Sequence, residues 1–347
     1  MSRTVSLMGL ALAALVTFVA RDGAAQGRPS ATQRAIDAAT RQCDTDAPRV
    51  CIRAIGRLSA SVRARPEVKL RLLRAQFEQI SPLLEPDGAR ALAAPARAEL
   101  DRVYRSLVAL TEQQPTLGEA WLVRGRIELS TNALDTSATS LDSAARLLPR
   151  DPAPANDLAM VLVALRRLPD AERALVRATG LAPNDAEPWS NLGAVRLGRG
   201  NAQAAADAFR EAIRCAPTVA RHPSDLGAAL LAAGQPEPAA RAFGDAVRLA
   251  PGDPLFRANL GYALSLANRL DDALAELRRA TELGPRSSTA WNNLATVLSR
   301  RGDRAGAEAA LRRALEVDPT DARARANLEA LLSSSRATTP ATRDAGR

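Results

Sequence analysis

Apolar, small and proline positions recur every 34 residues between residues 118 and 321. Within one period the apolar residues follow helical spacing: Trp291, Leu294 and Leu298 are three or four residues apart, and a second such series follows Gly302. The proline column comprises Pro115, Pro149, Pro183, Pro217, Pro251, Pro285 and Pro319. The small and large apolar columns comprise Gly125, Ala159, Gly193, Gly227, Gly261 and Ala295, and Leu141, Leu175, Phe209, Phe243, Leu277 and Leu311. Each period therefore predicts two helices.

A turn is expected between the two helices of each period. The residues at this step are Asn132, Gly200, Gly234, Asn268 and Gly302, which tolerate a positive φ. Arg166 departs from this column, so the residue type gives the turn of that repeat less support than in the other repeats. Each column proline ends a second helix because it lacks an N–H and disfavours helical geometry in the preceding residue.

The pattern resembles the tetratricopeptide repeat family, whose unit is a 34-residue helix–turn–helix. The resemblance covers residues 118–321 as six repeats and is clearest in 186–219. It is weakest in 118–151, where Arg124 occupies a leucine column and Ser137 an alanine column. The resemblance implies an all-α fold, a right-handed α-solenoid of 34-residue repeats with an N-terminal helical region. In this family the first helices largely build a concave face.

Flanking segments complete the predicted organisation. Residues 26–88 are expected to form a basic helical region, and 89–117 a degenerate repeat with Ala89 to Gln113 as its helices. Residues 322–335 are expected to form a capping helix, and 336–347 a disordered tail.

An asparagine column on the first helices is the predicted peptide-binding feature. It comprises Asn191, Asn259, Asn293 and Asn327, with Asp157 and Asp225 at the same step. An amide can pair with both the C=O and the N–H of an extended backbone, and some relatives hold a peptide in this way. The alternative is that these asparagines cap or bridge neighbouring helices. The other residues expected on the inner face are Arg126, Asn156, Met160, Ser190, Tyr262, Asn292, Thr296 and Arg300.

Composition argues against catalysis. The chain of 347 residues has one histidine, His222, one lysine, Lys69, three cysteines and only 3% aromatic residues. No His-Glu-x-x-His, Gly-x-Ser-x-Gly or Gly-Lys-Ser/Thr motif is present. We therefore expect no catalytic residue, metal site or cofactor. His222 precedes Pro223 at the start of a first helix, where a surface or capping position is expected.

The N-terminus has the layout of a secretory signal peptide. Arg3 precedes an uncharged apolar run, residues 5–20, which as a helix would span about 24 Å and fall short of a bilayer core. Small residues follow, and cleavage is expected between Ala25 and Gln26. The alternative is an uncleaved anchor. The sequence thus predicts an exported, periplasmic or secreted protein.

Export affects the interpretation of the cysteines. Cys43 and Cys51 are eight positions apart around a turn-like segment and are expected to form a local disulfide in an oxidising compartment. Two free thiols are the alternative. Cys215 lies in an apolar helical run and is expected to be an inert core residue.

Positive charge is concentrated near the N-terminus. Residues 49–74 carry eight basic residues and one acidic residue, Glu67, whereas 118–333 carries 27 basic and 26 acidic residues. Arg49, Arg53 and Arg57 are four apart on one predicted helical face, and Pro66 is expected to end or kink that helix. The segment suits an anionic lipid, glycan or acidic protein; the alternative is a solvated face over a packed helix. Nucleic acid is not an expected partner.

These observations lead to one main functional hypothesis. The protein is predicted to be a non-enzymatic exported scaffold that binds a protein or peptide on its concave face, in a bacterial envelope because of the Ala and Arg bias. One alternative is a module that associates with an anionic envelope surface through residues 49–74. The other is a regulatory subunit of an envelope enzyme.

Overall fold

The computed structural model describes residues 30–43, 47–84 and 92–338. Within these ranges all regular elements are helices, and no strand is present. The chain divides into two units after Leu181. The first unit contains α1 (Ala31–Arg41), α2 (Pro48–Gly56), α3 (Ala60–Arg63), α4 (Pro66–Ile80), a 3-10 turn (Ser81–Leu83), α5 (Ala94–Gln113), α6 (Gly118–Ser130), α7 (Leu134–Leu147), α8 (Ala153–Ala164) and α9 (Leu168–Leu181). The second unit contains α10 (Ala186–Gly198), α11 (Ala202–Cys215), α12 (Arg221–Ala232), α13 (Pro236–Leu249), α14 (Pro254–Leu266), α15 (Leu270–Leu283), α16 (Ser288–Arg300), α17 (Arg304–Val317) and α18 (Ala322–Thr338).

Consecutive helices from α6 to α17 form packed pairs, which confirms the predicted all-helical fold of helix–turn–helix units. Within a pair, a small residue of the first helix faces a large apolar residue of the second. A Cβ on Gly193 would lie 2.7 Å from the Phe209 ring, and one on Gly227 would lie 2.8 Å from the Phe243 ring. The small column is therefore required because the backbone of the first helix lies directly against these side chains.

Every turn within these pairs has one residue in the left-handed region. The glycines Gly200, Gly234 and Gly302 have φ of 81°, 72° and 83°, and Asn132 and Asn268 have 61° and 60°. Arg166, which departs from the glycine and asparagine residues of the turn column, has φ 61° and makes the same turn, closed by a hydrogen bond from Arg167 N to Leu162 O at 2.8 Å. The packing of α8 on α9 thus overrides the local preference of arginine.

Replacing Arg166 by glycine is expected to stabilise the protein by about 1 kcal/mol, because a Cβ disfavours positive φ. The matched control is Gly200→Ala, which should destabilise by a similar amount, since a Cβ there would meet no atom within 4 Å and only the backbone conformation is tested. Urea denaturation followed by circular dichroism measures both. Equal midpoints for Arg166→Gly and wild type would contradict the prediction.

A buried polar cluster explains why repeat 118–151 matches the repeat pattern poorly. The Glu128 side chain, 1% exposed, accepts hydrogen bonds from Arg124 Nε at 2.9 Å, Tyr104 OH at 3.0 Å and Ser140 Oγ at 2.7 Å. Burial, together with the bond to Glu128, raises the pKa of Tyr104. Ser137 Oγ donates to Gly125 O at 2.8 Å. Polar residues therefore replace the apolar packing of other repeats and connect α5, α6 and α7.

The degenerate repeat differs from the prediction. Among the described residues of 89–117 there is one long helix, α5, and not a helix pair. α5 packs between α4 and α6, so its neighbour on the N-terminal side is α4. Leu73 and Phe77 of α4 and Leu107 of α5 share one core cluster. The sequence pattern missed this arrangement because the segment that joins these two helices is longer than the turns of the repeats.

The basic N-terminal segment also folds differently from the single helix that was predicted. It is divided among α2, α3 and α4, and Pro66 begins α4 instead of ending a helix. Proline is favoured at the first helical position, where its missing N–H costs nothing. The Sγ atoms of Cys43 and Cys51 lie 2.09 Å apart and form a disulfide. Cys51 is buried with Ile36 and Ile55 in the core of this segment.

The two ends of the chain extend beyond the described residues. The predicted signal peptide and its cleavage site lie outside them, as do residues 339–347 of the predicted tail. The residues of the predicted capping helix, 322–335, lie in α18, which continues to Thr338, so the first three residues of the predicted disordered tail are helical. In the described ranges, no helix has both the length and the hydropathy needed to span a membrane.

Candidate interaction surface

The first helices of the second unit present equivalent residues to one side. The residues of α14 on this side are Leu255, Asn259, Tyr262 and Leu266, and the equivalent residues of α12 and α16 are Arg221, Asp225, Ala228, Ala232, Thr289, Asn293, Thr296 and Arg300. We call this surface the first-helix face. α14 contacts both α12 and α16 directly, and Arg300 joins α16 to α14 through bonds to Ser265 O and Asn268 Oδ1.

The predicted asparagine column has two kinds of members in this unit. Asn259 and Asn293 are half-buried, and their amides make no hydrogen bond with the described residues. Asn327 donates to Asn292 Oδ1 at 2.9 Å and so joins α18 to α16. Asn191 is half-buried and makes a contact within the protein. The helix-bridging alternative thus describes Asn327, whereas Asn259 and Asn293 retain unused donors and acceptors.

The acidic members of the column are already paired. In the first unit, Arg126 Nε lies 2.6 Å from Asp157 Oδ2, a bridge between α6 and α8. In the second unit, Arg221 Nε lies 3.3 Å from Asp225 Oδ2. Burial raises the pKa of Asp225, and Arg221 partly offsets this effect. Both carboxylates therefore already pair with arginines of the protein itself.

Several other predicted inner-face residues are also committed to internal contacts. Asn156 and Asn292 are only 7% and 8% exposed, so the expectation that they line an open face is wrong. They lie one position before the asparagine column, and one residue rotates a side chain by about 100° around a helix, here into the helix interface. Thr296 Oγ1 donates to Asn292 O at 3.0 Å, and Arg300 is held by the two bonds to α14.

Tyr262 is the predicted residue that the structure leaves most available. It is 42% exposed on the first-helix face. Leu255 and Leu266, which the sequence interpretation omitted, accompany it at 57% and 49% exposure. Their spacing from Tyr262, seven and four residues, was visible in the sequence but was indistinguishable from a core stripe.

The basic residues Arg49, Arg53 and Arg57 are exposed on the N-terminal helices. Arg53 Nε donates to Arg49 O at 3.3 Å, and none of the three forms an ion pair with a described residue. The structure is thus compatible with a charged surface at this site.

Two further residues depart from their predicted environments. Cys215 is half-buried, with Sγ 3.5 Å from Pro183 O, and not a core residue. His222, predicted at the surface or as a cap, is 8% exposed, and its Nδ1 lacks a hydrogen-bond partner among the described residues. Burial, reinforced by the charge of Arg221, lowers the pKa of His222. No group of three or more His, Cys, Asp or Glu in the described ranges is arranged to hold a metal ion.

Acidification should therefore destabilise the protein through His222. The unfolded chain takes up a proton as pH falls through the ordinary histidine pKa of about 6.5, while the folded protein resists protonation. Stability is thus complete above that pH and declines between it and the lower folded pKa. Urea midpoints at pH 7.5 and 5.5 test this, with His222→Phe as control because Phe256 occupies the equivalent position. The same pH dependence in both proteins would contradict the prediction.

The repeated helix pairs and their left-handed turns define a helical-repeat protein, and within each of the two units neighbouring helix pairs pack on one another. Family models described as tetratricopeptide repeat match residues 156–220, 230–298 and 264–332, so these segments are similar to that family. This fold typically serves as a non-enzymatic scaffold for protein–protein interaction. No curated protein has significant similarity to the chain.

The chain is similar to solved structures, and the first of those described here shares its fold. The C-terminal part of a TPR repeat-containing protein from Cytophaga hutchinsonii has a TM-score of 0.56 and 15% identity, and the match covers 73% of this chain and 99% of that one. YrrB, described as a TPR protein with an unusual peptide-binding site, has a TM-score of 0.47 and 24% identity, with 55% and 99% covered. MamA from Desulfovibrio magneticus RS-1 has a TM-score of 0.46 and 20% identity, with 49% and 97% covered.

Proposed function

We propose that the protein is an exported, non-enzymatic adaptor that binds a protein or peptide on the concave, first-helix side of its repeats. The observation that supports this function most directly is the pair of unused amides, Asn259 and Asn293, on neighbouring first helices. A half-buried amide has lost part of its water without gaining a protein partner, so a guest that offers backbone C=O and N–H groups would complete its hydrogen bonds.

Replacing both asparagines by alanine should weaken the binding of the guest by about 1–3 kcal/mol. Each guest group that loses its hydrogen bond to an asparagine becomes a buried unsatisfied group. The test is affinity purification from the native host with wild-type and variant protein, followed by quantitative mass spectrometry. Asn201→Ala is the matched control, since Asn201 is exposed and its side chain forms no helix cap. Equal recovery of all partners by the wild type and the double variant would exclude this role.

Export is the second part of the proposal and rests on the apolar run at residues 5–20 and the small residues after it. Fractionation of the native host should place the protein outside the cytoplasm, and N-terminal sequencing of the mature form should begin at Gln26. A cytoplasmic protein with an intact N-terminus would overturn this part.

A second candidate function is association with an anionic envelope lipid or glycan. It is favoured by one observation, the exposure of Arg49, Arg53 and Arg57 without an ion pair to a described residue. Binding to vesicles of phosphatidylcholine with and without 30% phosphatidylglycerol would test it. Each basic residue near the anionic surface is expected to contribute about 1 kcal/mol to the binding free energy. The triple alanine variant should lose binding to the anionic vesicles, and equal binding by wild type and variant would exclude this function.

A further inference from the structure

Three exposed apolar side chains lie along one face of α14. Leu255, Tyr262 and Leu266 are 57%, 42% and 49% exposed, and their spacing of seven and four residues places them within a narrow arc of the helix. Asn259 lies in the same arc, between Leu255 and Tyr262. We call these four residues the α14 stripe.

The neighbouring first helices do not share this apolar character. The positions of α12 equivalent to Tyr262 and Leu266 are the exposed residues Ala228 and Ala232, and α16 has Thr296 and Arg300 there. Tyr262 and Leu266 thus have small side chains at the equivalent positions of α12, and a polar and a charged side chain at those of α16. Single exposed apolar residues are common on protein surfaces, but a contiguous apolar patch rimmed by polar residues marks an interaction site.

The arginines on and beside α14 already have partners within the protein, carboxylates for Arg221 and Arg257 and neutral acceptors for Arg300. Arg221 is paired with Asp225 at 3.3 Å on α12, and Arg300 of α16 is bound to Ser265 O and Asn268 Oδ1. On α14 itself, Arg257 Nη1 lies 2.7 Å from Glu276 Oε2. A basic guest would therefore find no unpaired carboxylate among these groups, and an acidic guest would have to compete with the partners that already hold the arginines, whereas an uncharged guest would leave these interactions intact.

The unused amides indicate the backbone conformation of the guest. A helix satisfies its own backbone hydrogen bonds, so a helical guest offers little to Asn259 and Asn293. An extended segment offers free C=O and N–H groups to both amides. From Leu255 to Leu266 the α14 stripe spans about 16 Å, the length of about five extended residues. Alternate side chains of such a segment point to the same side and would meet the α14 stripe.

We propose that the second unit binds an uncharged, extended peptide segment of about five residues with apolar side chains at alternate positions. This inference rests on the proposed function and specifies its guest: apolar burial on Leu255, Tyr262 and Leu266 provides the binding energy, and Asn259 and Asn293 align the guest backbone. Because the interaction involves no net charge, its affinity is insensitive to ionic strength.

Selection from a phage-displayed library of random octapeptides on the full-length mature protein tests the proposal. We expect enrichment of sequences that are uncharged and carry apolar residues at alternate positions. The best sequence, synthesised as an acetylated and amidated peptide with a fluorophore, should bind equally at 50 mM and 500 mM NaCl in fluorescence anisotropy. Binding should be at least tenfold weaker to Leu255→Ser/Leu266→Ser. It should be unchanged in Val219→Ser, which alters an exposed apolar residue outside the α14 stripe.

The outcomes separate this inference from the proposed function. Enriched acidic or basic peptides, or an affinity that falls with salt, would overturn the uncharged guest, while the adaptor role would stand if their binding depends on Asn259 and Asn293. Undiminished binding by Leu255→Ser/Leu266→Ser would likewise overturn it. Peptides that bind the Asn259→Ala/Asn293→Ala variant as well as wild type, or no enrichment at all, would count against both proposals.

Discussion

Replacing Glu128 by leucine is expected to lower the free energy of unfolding by about 3–5 kcal/mol, the usual result of removing one partner of a buried ion pair. The Arg124 side chain is largely buried and pairs with Glu128, so the substitution leaves its guanidinium without a counter-charge. It also removes the acceptor of Tyr104 OH and Ser140 Oγ. The loss should be concentrated in α5, α6 and α7, where amide hydrogen exchange can locate it.

The double variant Arg124→Leu/Glu128→Leu is the matched control and should recover most of that loss. The other repeats have leucine at the position of Arg124: Leu158, Leu192, Leu226, Leu260 and Leu294. Most of them also have leucine at the position of Glu128: Leu162, Leu230, Leu264 and Leu298. Well-packed apolar residues often replace a buried ion pair without cost. A double variant as unstable as Glu128→Leu alone would contradict this account.

Replacing Phe243 by alanine should cost about 3–5 kcal/mol, measured by urea denaturation. The Phe243 ring is buried against the backbone of Gly227, within the core cluster of the second unit. A glycine has no side chain that could move into the cavity, and the helix backbone relaxes little. Since the repeats pack on their neighbours, exchange of amides in α12, α13 and α14 should accelerate together.

Differences among the repeats at the positions of Gly227 and Phe243 suggest a control for the Phe243 prediction. Where the column residue is alanine, as at Ala295, the facing residue is leucine, as at Leu311. Gly227→Ala alone should therefore destabilise by about 1–3 kcal/mol through overpacking against the ring. The double variant Gly227→Ala/Phe243→Leu should recover at least half of this cost. Additive effects of the two substitutions would show that the residues do not interact.

The repeated fold was predictable because local and tertiary preferences agree. The apolar columns specify which faces are buried, the prolines specify where the second helices end, and Gly200, Gly234 and Gly302 specify the turns. Arg166 shows the limit of this reasoning, since its side chain gives no sign of the left-handed conformation that the helix packing imposes. Likewise, Arg124 and Glu128 are four residues apart in the sequence, but Tyr104 comes from α5, which no repeat pattern places beside them.

The interaction surface was predictable only in part. The asparagine column is visible in the sequence, but the column alone cannot distinguish the unused amide of Asn259 from the bridging amide of Asn327. Asn292 was assigned to the open face although it is buried, because burial there depends on how closely the next first helix approaches. Leu255 and Leu266 were missed because apolar residues in a helix are ordinarily core residues, and only the tertiary structure shows that these two are exposed.

The pairing of small and large residues, Gly227 with Phe243 and Ala295 with Leu311, lies entirely within single repeats. A gene duplication or recombination event with its breakpoints in the proline-containing loops would transfer both partners together. Gain, loss or exchange of a whole repeat would therefore leave this internal steric match intact.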